Sequence, residues 1–338
     1  MSSSSERAAV LGAGSWGTAL AVHLGAAGRD VALWGRETDL IADMAVRRAN
    51  PTYLADVTFP DRVRPCATIA DALTDVRYVI VAVPSHGLRD VVREAAPLIP
   101  AGVVLVSATK GIETDGLYRM SEVILEETLG RNPVVVLSGP SFASEVARGC
   151  PTALVAASHD AEALRAVQHE FRSGYFRLYA SDDVVGVETG AALKNIIAIA
   201  AGVVESLELG HNAMAALITR GLAEISRLAC AMGGRRETLA GLSGLGDLVL
   251  TCTGTLSRNR HVGIELGRGR SLDSILAGMR MVAEGVKTTT AALALGERHG
   301  VELPIAVQMA EVLAGRQTPR EAVGRLMLRP QRDESEGE

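Results

Sequence analysis

The hexapeptide Gly12-Ala13-Gly14-Ser15-Trp16-Gly17 constrains the fold of this chain more than any other feature, because of what surrounds it. It follows directly on the apolar run at residues 8–11 and opens a helix-like stretch that begins near Trp16. In a strand, turn and helix of this kind, Gly12 permits the tight bend, Gly14 lets backbone amides approach a pyrophosphate, and Gly17 brings helix and strand together. The hexapeptide alone is a weak signal. A second strand-like run at residues 31–34 gives it the context that dinucleotide binding requires, so a phosphate cradle is preferred to a merely structural turn.

Short β-branched runs continue at residues 76–83, 103–106, 134–137 and 153–156, alternating with Ala-rich or amphipathic stretches at 18–25, 38–48, 88–95 and 117–129. Near-continuous apolar strands separated by helices rather than hairpin turns belong to a mostly parallel sheet covered on both faces. After about Asp182 the pattern changes to 3.6-residue periodicities at 184–205, 213–231, 272–277, 288–299 and 305–314. The expected fold class is therefore α/β, with an N-terminal Rossmann-type, doubly wound, mostly parallel sheet over residues 8–183 and an all-helical C-terminal domain over 184–330. The Ser-rich residues 1–7 and the acidic residues 331–338 read as disordered ends.

At 338 residues the chain is long enough for two cores. Aromatic residues make up only 3% of it, which suits helices and strands that approach closely through small side chains. A net charge of −5 gives no general attraction to nucleic acid or anionic lipid. No apolar run reaches the roughly 20 residues that crossing a bilayer takes, and the Ser-rich start lacks an apolar leader core, so a cytoplasmic protein without membrane insertion is expected. Cys66, Cys150, Cys230 and Cys252 are widely spaced, with no CxxC pair and no His at ligand spacing. They read as reduced thiols rather than a disulfide framework or a zinc site, and no metal is expected.

Several segments carry groups suited to chemistry. The second strand ends in Gly35-Arg36, where an NAD-binding chain usually places an acid for the ribose hydroxyls. Arg36 suits a 2′-phosphate, whereas Glu37 could itself reach the ribose, so NADP is preferred and NAD remains the alternative. Pro84-Ser85 and Thr109-Lys110-Gly111 follow successive strands, which puts Ser85 and Lys110 on the ligand-bearing carboxyl edge of the sheet. Ser138-Gly139-Pro140-Ser141-Phe142-Ala143 follows another strand. There Ser141 fits an N-cap, and free amides would suit either a nicotinamide or an ordinary turn.

Lys194 lies in residues 190–204, a stretch so apolar and small-sided that its helix must be largely buried. Burial lowers a lysine pKa toward neutrality, and a lysine in that state can give a proton to a carbonyl oxygen and take it back. Snorkelling to solvent is the bland alternative. Residues 241–260 read as a loop with a helix start rather than a core element. Asp247 could orient the lysine or hold a substrate hydroxyl, and Ser257, Arg258 and Asn259 are donors suited to phosphate. Lys110, Lys194 and Arg258 would together offset a phosphate dianion, partly balanced by Asp247, if the fold brings them together.

The chain closely resembles bacterial NAD(P)-dependent sn-glycerol-3-phosphate dehydrogenases over nearly its whole length. The resemblance runs through residues 12–17, Asn50-Pro51-Thr52-Tyr53-Leu54, residues 108–113, residues 137–143, Ala192-Leu193-Lys194-Asn195, residues 241–253, Leu256-Ser257-Arg258-Asn259-Arg260 and Glu284-Gly285-Val286. The segments around Lys194 and from Asp247 to Asn259 are specific to that family. What it implies is reversible hydride transfer between dihydroxyacetone phosphate and sn-glycerol 3-phosphate, feeding glycerophospholipid synthesis, with a homodimer as the assembly. It implies catalytic roles for Lys194, Lys110 and Asp247. Its substrate positions match Lys110, Gly139, Ser141, Lys194, Asp247, Ser257, Arg258 and Asn259. Its cofactor positions match Gly12, Gly14, Ser15, Trp16, Gly17, Arg36, Tyr53, Lys110, Ala143, Arg258, Val282 and Glu284. The chain departs from the family at Ala191, where glycine is usual, and at His211 and Met214, where an acid and a lysine are usual. The rival readings are a dehydrogenase of the same plan acting on a hydroxy acid or pantoate-like substrate, and a dinucleotide-binding redox sensor without catalysis.

Overall fold

A computed structural model describes residues 7–279, 281–331 and 333. They divide into two compact units, one of residues 7–109 with 120–184 and the other of residues 110–119 with 185 onward. The terminal arm and tail proposed from sequence lie almost wholly outside the described residues; Arg7 is the first residue of a strand.

The first unit runs β1 (Arg7–Leu11), α1 (Ser15–Ala26), β2 (Asp30–Trp34), α2 (Thr38–Arg47), the small antiparallel pair β3 (Ala49–Asn50) and β4 (Leu54–Thr58), then β5 (Val63–Cys66) and α3 (Ile69–Ala72). It continues with β6 (Tyr78–Val81), α4 (Ser85–Ala95), β7 (Val104–Ser107), α5 (Met120–Glu127), β8 (Val134–Ser138), α6 (Ala143–Ala147), β9 (Thr152–Ala157), α7 (Ala161–Glu170) and β10 (Phe176–Ser181). The main sheet has the order β10-β9-β8-β7-β6-β1-β2-β5, and only β8 and β9 pair antiparallel. Alternate residues of β1 enter different cores: Ala8 and Val10 pack with Leu20, Leu24 and Phe171 on one face, Ala9 and Leu11 with Leu88, Val92 and Ile124 on the other. Both faces are therefore covered, as the apolar runs implied.

The register aligns Leu11 with Trp34 and Val81, and Val81 with Ser107, so the turns that follow these four strands leave one edge of the sheet. Strand order reverses at β1, which places the glycine turn at the switch point. Besides the small pair β3 and β4, two strands of the main sheet went unread in the sequence, and they are its two edges. β10 alternates buried and exposed residues, and β5 carries Arg64 and Pro65. An edge strand tolerates proline and polar side chains, so neither shows the continuous apolar run of an interior strand.

The second unit is helical: α8 (Val184–Ser206), α9 (Gly210–Ala231), α10 (Arg236–Ala240), a π turn (Leu242–Gly246), α11 (Asp247–Thr253), α12 (Arg258–Gly267), α13 (Leu272–Ala277), α14 (Glu284–His299), α15 (Pro304–Leu313) and α16 (Pro319–Met327). Most of α8 belongs here, from Val185 onward. At 23 residues, with a window of mean hydropathy 1.5, α8 is long and apolar enough to cross a membrane by length and composition, yet 94% of that window is buried inside the protein. It is the core helix of this unit, surrounded by Leu228, Leu248, Val262 and Leu295. Helix ends are satisfied from outside and from within. The Glu224 carboxylate of α9 accepts from the Ile305 and Ala306 amides at the start of α15, and Thr318 with Glu321 forms a reciprocal capping box on α16.

Two expectations need correction. Residues 110–119, assigned from sequence to the first domain, belong to the second unit, where Ile112 is buried in the apolar core and Arg119 donates to Glu188 of α8 at 2.9 Å. Residues 241–260 are not a loop with a helix start. They form the π turn, all of α11 and the beginning of α12, with Leu248 and Cys252 fully buried. The three glycines at 241, 244 and 246 hid this helix from a reading based on propensity. A Cβ at Gly244 would lie 2.0 Å from the Leu239 carbonyl oxygen, so glycine there serves close approach rather than flexibility.

Candidate active site

The glycine turn is locked at two positions and open at the third. Gly12 has φ +124°, and a Cβ there would lie 2.6 Å from the Ala82 carbonyl oxygen; one at Gly17 would lie 1.9 Å from the carbonyl oxygen of Gly12 itself. Around Gly14 a Cβ would meet nothing within 4 Å. Helix α1 starts at Ser15 without a side-chain cap or an acidic residue in its first turn, which leaves amides and the positive end of the helix dipole for an anion. Among the described residues the buried Trp16 Nε1 has no partner. These features fit the pyrophosphate of a nicotinamide dinucleotide.

Asn50 holds this cradle in place, a role not assigned to it from sequence. It is fully buried, and its Nδ2 donates to the Ala13 carbonyl at 2.8 Å and to Thr18 Oγ1 at 2.9 Å. Its Oδ1 accepts from the amides of Thr52 and Tyr53, and Ser15 Oγ donates to the Tyr53 carbonyl at 2.9 Å. The β3–β4 connection is thus fastened to the glycine turn. The readable signal was a lone Asn-Pro between two short strands, which says turn but not partner.

On the same sheet edge, Gly139 has φ +134° and begins the turn after β8. Ser141 does not cap the helix beyond, as the sequence suggested. Its hydroxyl donates back to the Gly139 carbonyl at 3.0 Å, and α6 starts two residues later at Ala143 with Phe142 as an uncapped boundary. The hydroxyl is engaged with the carbonyl behind it, so it closes the turn instead of the helix.

The second unit brings three of the predicted catalytic residues together. Asp247, the first residue of α11, is 1% exposed and bridges two ammonium groups. Its Oδ1 accepts from Lys194 Nζ at 2.6 Å and its Oδ2 from Lys110 Nζ at 2.7 Å. Lys194 Nζ also donates to Thr251 Oγ1 at 2.7 Å, whose hydroxyl donates to the Asp247 backbone carbonyl at 2.6 Å. Thr251 lies one turn after Asp247 on α11, so a single helix supplies both acceptors. Lys194 is 6% exposed and does not snorkel. Burial lowers its pKa to about 8; Asp247 pulls the other way and neighbouring Lys110 adds to the lowering. Cys252 stays a neutral thiol beside it, pushed up to about 12 by burial despite the lysine.

A second group forms around the start of α12. Ser257 caps that helix by accepting from the Arg260 amide, so its hydroxyl is already engaged. Asn259 is buried and joins three helices: its Nδ2 donates to Asn195 Oδ1 of α8 at 2.9 Å, and its Oδ1 accepts from the Gly285 amide of α14 at 2.9 Å. Arg258 is exposed as a residue, yet desolvation around its guanidinium lowers its pKa from the ordinary value, with the Glu284 carboxylate pulling the other way. Val282 is half-buried just before α14, which Glu284 begins. The remaining candidates, Gly12, Gly14, Ser15, Trp16, Gly17, Arg36, Tyr53, Gly139, Ser141 and Ala143, all belong to the first unit. Asn195 and Thr251 were missed in the sequence, because an amide and a hydroxyl inside apolar helical stretches carry no periodic signal of their own.

Residues 7–164 match the family described as NAD-dependent glycerol-3-phosphate dehydrogenase N-terminus, and residues 183–324 the corresponding C-terminus. The chain belongs to the NAD-dependent glycerol-3-phosphate dehydrogenase family. Among the relatives, "Glycerol-3-phosphate dehydrogenase [NAD(P)+]" of Koribacter versatilis (strain Ellin345) is 53% identical over 274 residues, covering 80% of this chain and 81% of that protein. The protein of the same description from Thioalkalivibrio sulfidiphilus (strain HL-EbGR7) is 52% identical over 269 residues, covering 80% and 81%. The crystal structure of glycerol-3-phosphate dehydrogenase from Coxiella burnetii superimposes with a TM-score of 0.93 at 40% identity, covering 96% of this chain and 99% of that one. Of the departures from the family, Ala191 is buried within α8 and Met214 packs against the helical core, while His211 is exposed.

Proposed function

We propose that this chain transfers a hydride reversibly between NAD(P)H and dihydroxyacetone phosphate, giving sn-glycerol 3-phosphate for glycerophospholipid synthesis. One observation carries the reading: a buried lysine with a pKa of about 8, held at 2.6 Å by a carboxylate that also holds a second lysine. A bound nicotinamide supplies the hydride. Lys194 supplies the proton to the carbonyl oxygen as it becomes an alkoxide, and recovers it when the alcohol is oxidised. Asp247 and Thr251 orient the Lys194 amine by accepting hydrogen bonds from its other N–H groups. Two ammonium groups on one carboxylate leave a net positive charge, fixed before the reaction begins, where the substrate oxygen turns negative. Lys110 and Arg258 bind the phosphate, Arg258 through its planar fork of donors, and Asn259 keeps one amide hydrogen for substrate. Ser257 contributes through its capping role and the backbone it holds.

In the first unit, Gly12, Gly14, Ser15, Trp16 and Gly17 would hold the pyrophosphate, with Arg36 and Tyr53 toward the adenosine. Gly139, Ser141 and Ala143 would supply backbone groups to the substrate and nicotinamide, and Lys110, Arg258, Val282 and Glu284 further cofactor contacts. NADP is preferred to NAD, and the working assembly is a homodimer acting on a small molecule in the cytoplasm.

The test is dinucleotide oxidation by the purified protein, with dihydroxyacetone phosphate and with unphosphorylated ketones and keto acids, NADPH and NADH being run in parallel. Turnover confined to the phosphorylated ketone is expected. Turnover of a keto acid instead, or none with any ketone, would overturn the reading in favour of a hydroxy-acid enzyme or a sensor. Within that assay, Arg258→Ala is expected to raise KM for dihydroxyacetone phosphate by about 10- to 100-fold, the worth of a hydrogen-bonded charge pair, while leaving any residual rate with unphosphorylated ketones unchanged. Equal losses on both substrates would remove Arg258 from the phosphate site.

A further inference from the structure

Gly35, the residue that follows β2, has no room for the acid that usually reads the adenosine ribose. A Cβ there would lie 2.7 Å from Ala13 Cβ and 3.2 Å from Ile41 Cδ1. That reading passes to Arg36 and Glu37, which carry opposite charges and would favour opposite cofactors. The two side chains are not equally available. Glu37 Oε1 accepts from the Tyr53 hydroxyl at 2.9 Å. Arg36 is exposed, makes no hydrogen bond or ion pair with a described residue, and lines a cavity of about 290 Å³ together with Trp34, Thr68, Asp90 and Glu94. Tyr53 is held in turn by its backbone: its amide donates to Asn50 Oδ1 at 3.0 Å and its carbonyl accepts from Ser15 Oγ at 2.9 Å. The phenol that restrains Glu37 is therefore positioned by the same residues that shape the pyrophosphate cradle.

We infer that the Tyr53–Glu37 hydrogen bond determines cofactor choice, withholding Glu37 from the ribose hydroxyls and leaving Arg36 to meet a 2′-phosphate. The inference rests on the reading that this unit binds a nicotinamide dinucleotide. A free carboxylate at position 37 would accept hydrogen bonds from the ribose diol of NAD(H) and repel the dianion of NADP(H). With one oxygen engaged by the phenol, it does less of both. Asp90 and Glu94 add negative charge to the same cavity, so Arg36 is the cation among its described lining residues that can favour the phosphate.

The experiment is equilibrium binding of NADPH and NADH, each followed by its own fluorescence, to the wild-type protein, Tyr53→Phe, Glu37→Gln and the double variant. Glu37 is exposed and phenylalanine keeps the half-buried ring of residue 53, so the variants keep the fold. The wild type is expected to bind NADPH more tightly than NADH. Tyr53→Phe should lower the NADPH-to-NADH affinity ratio at least tenfold, mainly by tightening NADH. Glu37→Gln should raise that ratio, and adding Tyr53→Phe to it should change nothing further. A Tyr53→Phe ratio within twofold of wild type, or an equal shift in the Glu37→Gln background, overturns the inference while dinucleotide binding stands. Failure of the wild type to bind either nucleotide overturns the underlying reading and the inference together.

Discussion

Replacing Lys194 with alanine is expected to lower turnover of dihydroxyacetone phosphate by about 10²-fold or more, while the dissociation constant for NADPH stays within about twofold of wild type. The size follows from what the residue does. General acid catalysis by a positioned group contributes on the order of 10² to 10⁴, and here the same amine also carries part of the fixed positive charge that meets the forming alkoxide. Binding of the dinucleotide is expected to persist because the glycine cradle is built from Gly12, Gly17, Asn50 and Ser15, which make their own contacts within the first unit. Stopped-flow reduction with saturating NADPH separates the two quantities. Near-normal turnover would take the acid role away from Lys194.

The second large effect is expected from Asp247→Asn. The change is nearly isosteric, but it removes a carboxylate that both Lys194 and Lys110 touch. Asp247 is the largest influence raising the Lys194 pKa against the effect of burial. Without it that pKa should fall further, turnover at pH 8 should drop by about 10²-fold, and part of the loss should return at lower pH as the amine is reprotonated. Breaking a buried ion pair by removing one partner costs about 3–5 kcal/mol, so Tm should fall as well. The sign of the linked stability change is fixed by the shift already present. From the ordinary value of 10.5 to about 8, the folded state holds the Lys194 proton less tightly than the unfolded chain does. Its contribution to stability therefore rises as pH increases from about 8 toward 10.5. An Asp247→Asn protein with wild-type turnover and an unmoved pH profile would make the bridge dispensable.

Much of this arrangement was legible in the chain, and what was not has physical causes. The interior strands and the glycine turn showed because burial on both faces and close backbone approach leave few residue choices. Lys194 showed because a charge in an apolar, small-sided helix contradicts its surroundings. The edge strands β5 and β10 did not, since one-sided burial admits Arg, Pro and alternation. Helix α11 was hidden by the glycines before it, of which Gly244 serves contact with Leu239, and with it the reason Asp247 is buried. The helical unit's claim on residues 110–119 was invisible because sequence order places them between two strands of the sheet, whereas Ile112 and Arg119 find their partners in helices more than 60 residues away. Cap and bridge contacts such as Asn259 with Asn195 and Gly285 depend on three separate helices, and a single sequence records the groups without the meeting.

If Lys194 gives and takes the proton, forward and reverse rates must respond to its ionisation in opposite directions. The measurement is kcat/KM from pH 7 to pH 10, for ketone reduction and for alcohol oxidation on the same protein. Reduction should fall tenfold per pH unit above about 8, where the amine loses its proton, and oxidation should rise toward a plateau through the same midpoint. Two profiles that run parallel, or a reduction rate that stays level to pH 10, would contradict the buried ammonium as the proton donor.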